Sequence, residues 1–245
     1  MRWKRNYFGK KNDTEWFIKQ LDCGSRYIVS KYLRNNTPLN VHLILYADDI
    51  LVLPASVQIV ELDSSYLLYK GGDYIAFKYL EEEYKTAFYN CAYELGVVLQ
   101  KLGYRGICGV DALVDSESKR LFLIEVNPRF QGSSYILDKA LTDYGYDCLA
   151  KMNYDAFLYR NRNHTNINLD NFSVNYSCYS LQNSCQKGRF MKEEIINHKH
   201  KCIDHEYDGF DVNQQLEKNV YLSKMIFAES IYKRQWIGKS ETTKI

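Results

Sequence analysis

The sequence predicts an α+β fold, an antiparallel sheet with packed helices. Three features carry this reading: strand-like segments between residues 27 and 69, a long amphipathic helix near 78–102, and a hairpin across 107–127. The chain has 245 residues, enough to bury a core in one or two domains. Hydrophobic residues make up 46% and charged residues 25%, which places it among ordinary globular chains rather than disordered or fibrous ones.

Residues 1–12 are basic and aromatic without a clear period. Asp13 or Thr14 caps a short helix over 13–21, and Gly24 ends it. Residues 27–33 read as a strand, and so do 39–46 and 50–60, joined at Asp48 and Asp49. A further short strand at 66–69 precedes a turn at Gly71 and Gly72. From Tyr84, the residues Phe88, Cys91, Leu95, Val98 and Leu102 recur at steps of four and three, one apolar stripe on a helix over 78–102 with Gly103 as its C-cap. Strands at 107–114 and 121–127 flank the polar DSESKR, and after Pro128 either Ser133 or Ser134 caps a helix to about residue 142. The Asn-rich stretch after Tyr159 marks a boundary near 155–170. Beyond it, 172–181 and 221–231 are strand-like and 191–198 is helical.

Charge and apolar patterning exclude several functions. Thirty-two basic residues stand against 30 acidic ones, whereas a dedicated nucleic-acid binder needs a dominant, clustered basic excess. No apolar run approaches the ~18 residues of a membrane span. The start MRWKRNYFGKK has no apolar segment behind its charges, so no secretory signal is visible. Seven scattered cysteines, odd in number, read as reduced thiols in a cytoplasmic protein.

The hairpin holds the chemistry. Strand alternation puts Gly109, Asp111 and Leu113 on one face, and Leu121, Leu123, Glu125 and Asn127 on one face of the partner strand. With the loop centred on Ser118, Asp111 falls opposite Glu125, Gly109 opposite Asn127 and Leu113 opposite Leu123. Two carboxylates directly across a strand pair repel, so the arrangement calls for a cation or a shared proton. With an amide oxygen they are hard ligands suited to Mg²⁺, with phosphate oxygens completing its shell. The competing reading is an edge hairpin with its charges in water. Against it stands the sequel, in which the chain leaves the strand at Pro128, presents Arg129, and enters a helix through Gly132, Ser133 and Ser134, whose free N–H groups suit an anion.

The segment GYRGICGVDALVD, followed by LFLIEVNPRFQGSS, resembles the C-terminal lobe of the ATP-grasp superfamily. That resemblance implies ATP as ligand and Mg²⁺ (or Mn²⁺) held by Asp111, Glu125 and Asn127. It implies that Arg129 stabilises a small carboxylate substrate or its acyl-phosphate, with Gln131, Gly132, Ser133 and Ser134 near that substrate. Ser30-Lys31-Tyr32-Leu33 resembles the strand between lobes whose backbone reads the adenine edge, through Lys31, Tyr32 and Leu33, and Asn40 sits where the family contacts the ribose. A plain sheet strand is the alternative reading for that segment. The segments 57–59 and 69–74 (YKGGDY) are also similar to the family, without an assigned role.

On this resemblance the chain divides into a remnant of the lid lobe (1–26), the C-terminal lobe (27–155) and an extension completing or flanking it (156–245). The family's N-terminal domain and most of its lid lobe are expected to be absent, and a complementing N-terminal polypeptide is expected for ligation. The implied reaction activates a carboxylate as an acyl-phosphate for attack by an amine or other nucleophile. A truncated, inactive relative acting as a binding module and a Mg²⁺-dependent phosphotransferase are the alternatives. His198, His200, Cys202 and His205 suggest a zinc site or, preferred here, a solvated strand with incidental histidines. Gly103, Gly106 and Gly109 do not form a dinucleotide fingerprint, and no phosphate-binding loop of the GxxxxGKS or GxxxxGKT type occurs.

Overall fold

The computed structural model describes residues 26, 30–63, 66–158, 169, 172–182, 187–189, 202–207, 215–217 and 220–232. The helices expected at 13–21 and 191–198 lie outside the described residues, as do His198 and His200. The central strand β1 (Asn36–Leu45) is buried along most of its length because strands flank it on both sides and helices cover both faces. Its side chains alternate: Leu39, Val41, Leu43 and Leu45 enter one core, while Asn40, His42 and Ile44 face the other way.

The strand expected over 50–60 is two strands, β2 (Ile50–Val52) and β3 (Ser56–Asp63). Pro54 lies at the break, where its missing N–H cannot continue a ladder, and the preceding Leu53 N–H donates to the His42 carbonyl at 2.9 Å. Strand β4 (Tyr66–Asp73) continues through Gly71 and Gly72, where the sequence suggested a turn, with a register shift against β3 just before them. The two glycines pair with Ile59 and Gln58 on one side and with Tyr179 and Cys178 of β7 (Ser177–Gln182) on the other. A Cβ on Gly71 would lie 1.9 Å from the Cys178 carbonyl oxygen, so this pairing demands glycine.

A separate short helix, α1 (Tyr74–Lys78), precedes the helix expected over 78–102, which is α2 (Glu82–Lys101) and starts four residues later than expected. Its buried face is Tyr84, Phe88, Ala92 and Gly96, whereas Val98 and Leu102 are 53% and 78% exposed. The end of the expected stripe therefore faces outward, while Leu95 is still partly buried against the core. Small residues turn inward there because the helix lies close to the sheet: a Cβ on Gly96 would come 3.1 Å from Ile50 and 3.3 Å from Leu43. Gly103 does end the helix, at φ +89°, with its N–H on the Gln100 carbonyl and the Tyr104 N–H on the Leu99 carbonyl.

Strands β5 (Gly106–Asp115) and β6 (Arg120–Asn127) form the hairpin, closed by a turn in which Asp115 accepts from the Ser118 N–H and hydroxyl. Helix α3 (Ser134–Asp143) follows as expected, and α4 (Leu149–Leu158) was not anticipated. Strands β8 (Lys187–Arg189), β9 (Cys202–Tyr207), β10 (Gln215–Glu217) and β11 (Tyr221–Phe227) complete the described elements. One antiparallel sheet runs β6-β5-β1-β3-β4-β7-β11-β9, with β2 beside β1, while β8 and β10 pair separately. Helices α3 and α4 pack on one face around Ile44, Ile107, Leu137 and Met152. Helices α1 and α2 pack on the other around Val41, Leu43, Phe88 and Val110.

The late strands are tied to the early ones through Asp73. This fully buried carboxylate accepts from the Ala76 N–H at the start of α1, the Ser230 hydroxyl, and the N–H groups of Ile231 and Tyr232. Among the described residues no helix is long and apolar enough to cross a membrane, and Cys91, Cys108, Cys148, Cys178 and Cys202 are free thiols. Replacing Gly71 with alanine forces β4 and β7 apart. Urea denaturation of Gly71→Ala is expected to show a loss of at least about 2 kcal/mol, and native-like stability would contradict the register.

Candidate functional site

Two rows of residues cross the sheet at right angles to its strands. In the first, Ser56 of β3 pairs with Asn40 of β1, Asn40 with Asp111 of β5, and Asp111 with Glu125 of β6. In the second, His42 of β1 pairs with Gly109 of β5, and Gly109 with Asn127 of β6. The expected pairings of Asp111 with Glu125 and Gly109 with Asn127 are those of the structure. The expected pairing of Leu113 with Leu123 is not: a bulge between Asp111 and Ala112 shifts the register, so Leu113 faces Phe122 and Ala112 faces Leu123. The extra residue re-aims the end of β6 and keeps Glu125 and Asn127 on the Asp111 face.

Four amide groups converge on Asp111. Asn40 Nδ2 and Gln58 Nε2 donate to Oδ1 at 2.6 and 3.0 Å, and Asn127 Nδ2 and Gln131 Nε2 donate to Oδ2 at 2.9 and 3.4 Å. Asn127 Nδ2 also donates to Glu125 Oε1 at 3.0 Å. Burial, together with the neighbouring Glu125 carboxylate, pushes the Asp111 carboxyl up from its ordinary value to about 6, even though the Asn40 and Gln131 bonds act the other way. The pair is thus short of positive charge, and its two carboxylates are hard oxygen donors, with the Asn127 amide beside them. They suit Mg²⁺ and offer zinc no nitrogen or sulfur.

The glycine in the second row is explained by Gln131. A Cβ on Gly109 would lie 1.6 Å from Gln131 Oε1, so the glutamine side chain fills the space the glycine leaves. Its Oε1 accepts from Asn40 at 2.8 Å. Gly132 is open for a similar reason, since the ring of Tyr69 lies 2.6 Å from where its Cβ would be. Tyr69, Gly71, Gly72 and Asp73 thereby give the YKGGDY segment its structural account: a wall beside the site, two close backbone approaches and a buried clamp.

Ser133 and Ser134 are buried, and their hydroxyls are engaged within the fold. Ser133 Oγ donates to Asn40 Oδ1 at 2.8 Å, while Ser134 Oγ accepts from the Gln131 N–H at 2.9 Å and lies 2.8 Å from His42 Nε2. Asn40, expected at the ribose, is 1% exposed and spends its amide on Asp111, Gln131 and Ser133. His42 is fully buried. Burial pushes its imidazole down to about 4, so it stays neutral, and Nδ1 has no partner among the described residues. Arg129 is exposed beyond β6, with Nη2 donating to Asn127 Oδ1 at 3.1 Å and Nη1 to the Phe130 carbonyl at 3.1 Å.

Lys31, Tyr32 and Leu33 stand apart from this cluster. Residues 30–33 are irregular rather than the expected strand; residues 27–29 lie outside the described set. The Leu33 carbonyl accepts from Asn36 Nδ2, so a local side-chain bond replaces ladder pairing there. Because Asn36 pairs with Asp115, this segment adjoins β1 at a level four residues along β5 from Asp111. Sequence reasoning gave no role to Gln58 and Tyr69, although it marked their segments as similar to the family, and it missed His42. His42 carried a readable signal, since it alternates in phase with Asn40 on β1.

A family model described as an ATP-grasp domain matches residues 5–133, a span that includes Asn40, Asp111, Glu125, Asn127 and Arg129. Among solved structures, the biotin carboxylase domain of the Hydrogenobacter thermophilus 2-oxoglutarate carboxylase, in complex with MgADP, ADP and bicarbonate, superposes with TM-score 0.53 at 13% identity. That match covers 80% of this chain and 42% of the other. N5-carboxyaminoimidazole synthetase from Staphylococcus aureus complexed with ADP gives 0.55 at 14% identity, covering 80% and 47%. The biotin carboxylase domain of a single-chain bacterial carboxylase gives 0.57 at 14% identity, covering 89% and 47%. At such identities the likeness is one of fold, and the chain spans less than half the length of these structures. No curated protein sequence matches it.

The Asp111 carboxyl titrates above the ordinary carboxylate value, so its ionisation opposes folding. The opposition is absent below about pH 4 and complete once pH has risen past about 6. In metal-free buffer, the stability difference between Asp111→Asn and the native chain is expected to move toward the variant by about 1–2 kcal/mol from about pH 4 to about pH 8. Paired denaturation curves at the two pH values measure it, and a constant difference would contradict the crowded-carboxylate account.

Proposed function

The chain belongs to the ATP-grasp family, and from that premise we propose that it binds ATP with a divalent cation and activates a small carboxylate as an acyl-phosphate for attack by an amine or other nucleophile. The observation that carries this reading is the facing pair Asp111 and Glu125, with Asn127 beside them and Arg129 just beyond. The proposed cation ligands are Asp111, Glu125 and Asn127, with Mg²⁺ preferred and Mn²⁺ an alternative. Such a cation supplies charge neutralisation between phosphate oxygens.

The chain's own groups do the rest. Arg129 is the proposed partner of the carboxylate or acyl-phosphate oxygens, since a planar guanidinium fork matches a planar oxyanion. Gln131 is held by Asn40 at the edge of the same cluster, close enough to share the substrate. Gly132 keeps the loop low against Tyr69. Ser133 and Ser134 are proposed to act by fixing that loop, through Asn40 and His42, rather than by offering free hydroxyls. The adenine is assigned to the backbone of Lys31, Tyr32 and Leu33, and Asn40 is assigned a strut beneath the phosphates in place of a ribose contact.

The structural neighbours are described with MgADP and bicarbonate or with ADP, which supports a nucleotide and a small carboxylate as ligands here. Their chains are about twice as long, and the complete reaction is proposed for this chain acting with a complementing polypeptide. Calorimetry of Mg²⁺-dependent ATP binding tests the assignment. Glu125→Gln is expected to lose at least tenfold in affinity with an unchanged fold, about 1.4 kcal/mol. Equal affinity in the variant would remove the metal role.

A further inference from the structure

The Asn127 side chain is turned the wrong way for a metal ligand. Its Nδ2 points at both carboxylates, 2.9 Å from Asp111 and 3.0 Å from Glu125, and its Oδ1 accepts from Arg129 Nη2 at 3.1 Å. The orientation is fixed by its neighbours. The reversed amide would set an oxygen against two carboxylates and an N–H₂ group against a guanidinium, losing three hydrogen bonds and creating three repulsive contacts. The amide therefore occupies the position between the carboxylates that a cation would take, and stands in for its positive charge.

We infer that Asn127 is a latch coupling cation binding to the release of Arg129. The inference rests on the proposed ligand set of Asp111, Glu125 and Asn127. To offer an oxygen between the two carboxylates, Asn127 has to rotate about χ2 by roughly half a turn, a motion that its two-fold torsion permits. The rotation carries Oδ1 away from Arg129 and brings Nδ2 toward the guanidinium, donor against donor. Arg129 must then leave. It is exposed, and its remaining side-chain bond among the described residues is to the Phe130 carbonyl, so it can swing toward an oxyanion.

The consequence is an order of events. Without the cation the arginine is held against β6 by Asn127; with the cation it becomes available to the carboxylate substrate. By linkage, whatever frees Arg129 also strengthens cation binding by the same factor. Gln131 plays no part in the latch, because its amide is held by Asn40 and Asp111.

Side-chain NMR of the full chain tests this with Mg²⁺ alone as probe, following the Asn127 Nδ2 pair and the Arg129 Nε–Hε signal. In the native chain both signals are expected to move with one common midpoint. In Asn127→Ala, Arg129 should already give its metal-saturated signal before Mg²⁺ is added. Should that variant fail to fold, Arg129→Lys serves instead. It keeps the charge but loses the fork, and the Asn127 signal is expected to move at Mg²⁺ concentrations about three- to tenfold lower. An Asn127 shift with Arg129 unmoved, or an unchanged midpoint in Arg129→Lys, overturns the latch. No shift at either residue with Mg²⁺, alone or with ATP, overturns the underlying ligand assignment instead.

Discussion

Two carboxylates held at the same level of one hairpin are the constraint around which the site is organised. Asp111 and Glu125 are placed together by the β5–β6 register, and the bulge beside Asp111 keeps them on one face. In water such a pair would separate. Here the strand pairing fixes the backbone, and burial raises the cost of charge on Asp111. The surroundings answer with donors: Asn40 from β1, Gln58 from β3, Asn127 from β6 and Gln131 from the loop before α3. Four neutral amides from four segments soften the repulsion without removing it, which leaves the cluster open to a hard cation.

The same constraint accounts for features that look unrelated in the sequence. Gly109 is small because Gln131 needs its space, and Gly132 is small because Tyr69 needs it. Ser133, Ser134 and His42 carry no free function at the surface; they anchor the loop that brings Gln131 to the carboxylates. The opposite face of the same strands is apolar, with Leu39, Val41, Val110 and Ala112 packed under α2. Strand alternation thus lets one pair of strands serve as site floor and as core at once.

Much of this was legible in the residues. The pairing of Asp111 with Glu125 follows from counting outward from Ser118, and the Gly103 cap follows from where the apolar period stops. The bulge after Asp111 was not legible, because an extra residue changes the register without a sequence mark of its own, and Leu123 was misplaced as a result. Gly71 and Gly72 looked like a turn because glycine serves turns and close backbone approaches alike; only the position of β7, more than 100 residues later, decides between them. The end of the α2 stripe failed for a related reason. Ala92 and Gly96 are weak hydrophobic signals, yet close packing against β1 and β2 selects them over Val98 and Leu102. Gln58 and Asn40 were separated in sequence from the hairpin, so their convergence on Asp111 is a property of the strand order.

The most direct measurement is a crystal structure of the chain with Mg²⁺ and a non-hydrolysable ATP analogue. The account predicts a cation about 2.1 Å from oxygens of Asp111, Glu125 and Asn127, with phosphate oxygens in its shell and Arg129 turned away from Asn127. A nucleotide bound with its cation away from these three residues, or a cation there with the Asn127 amide still donating to both carboxylates, would contradict it.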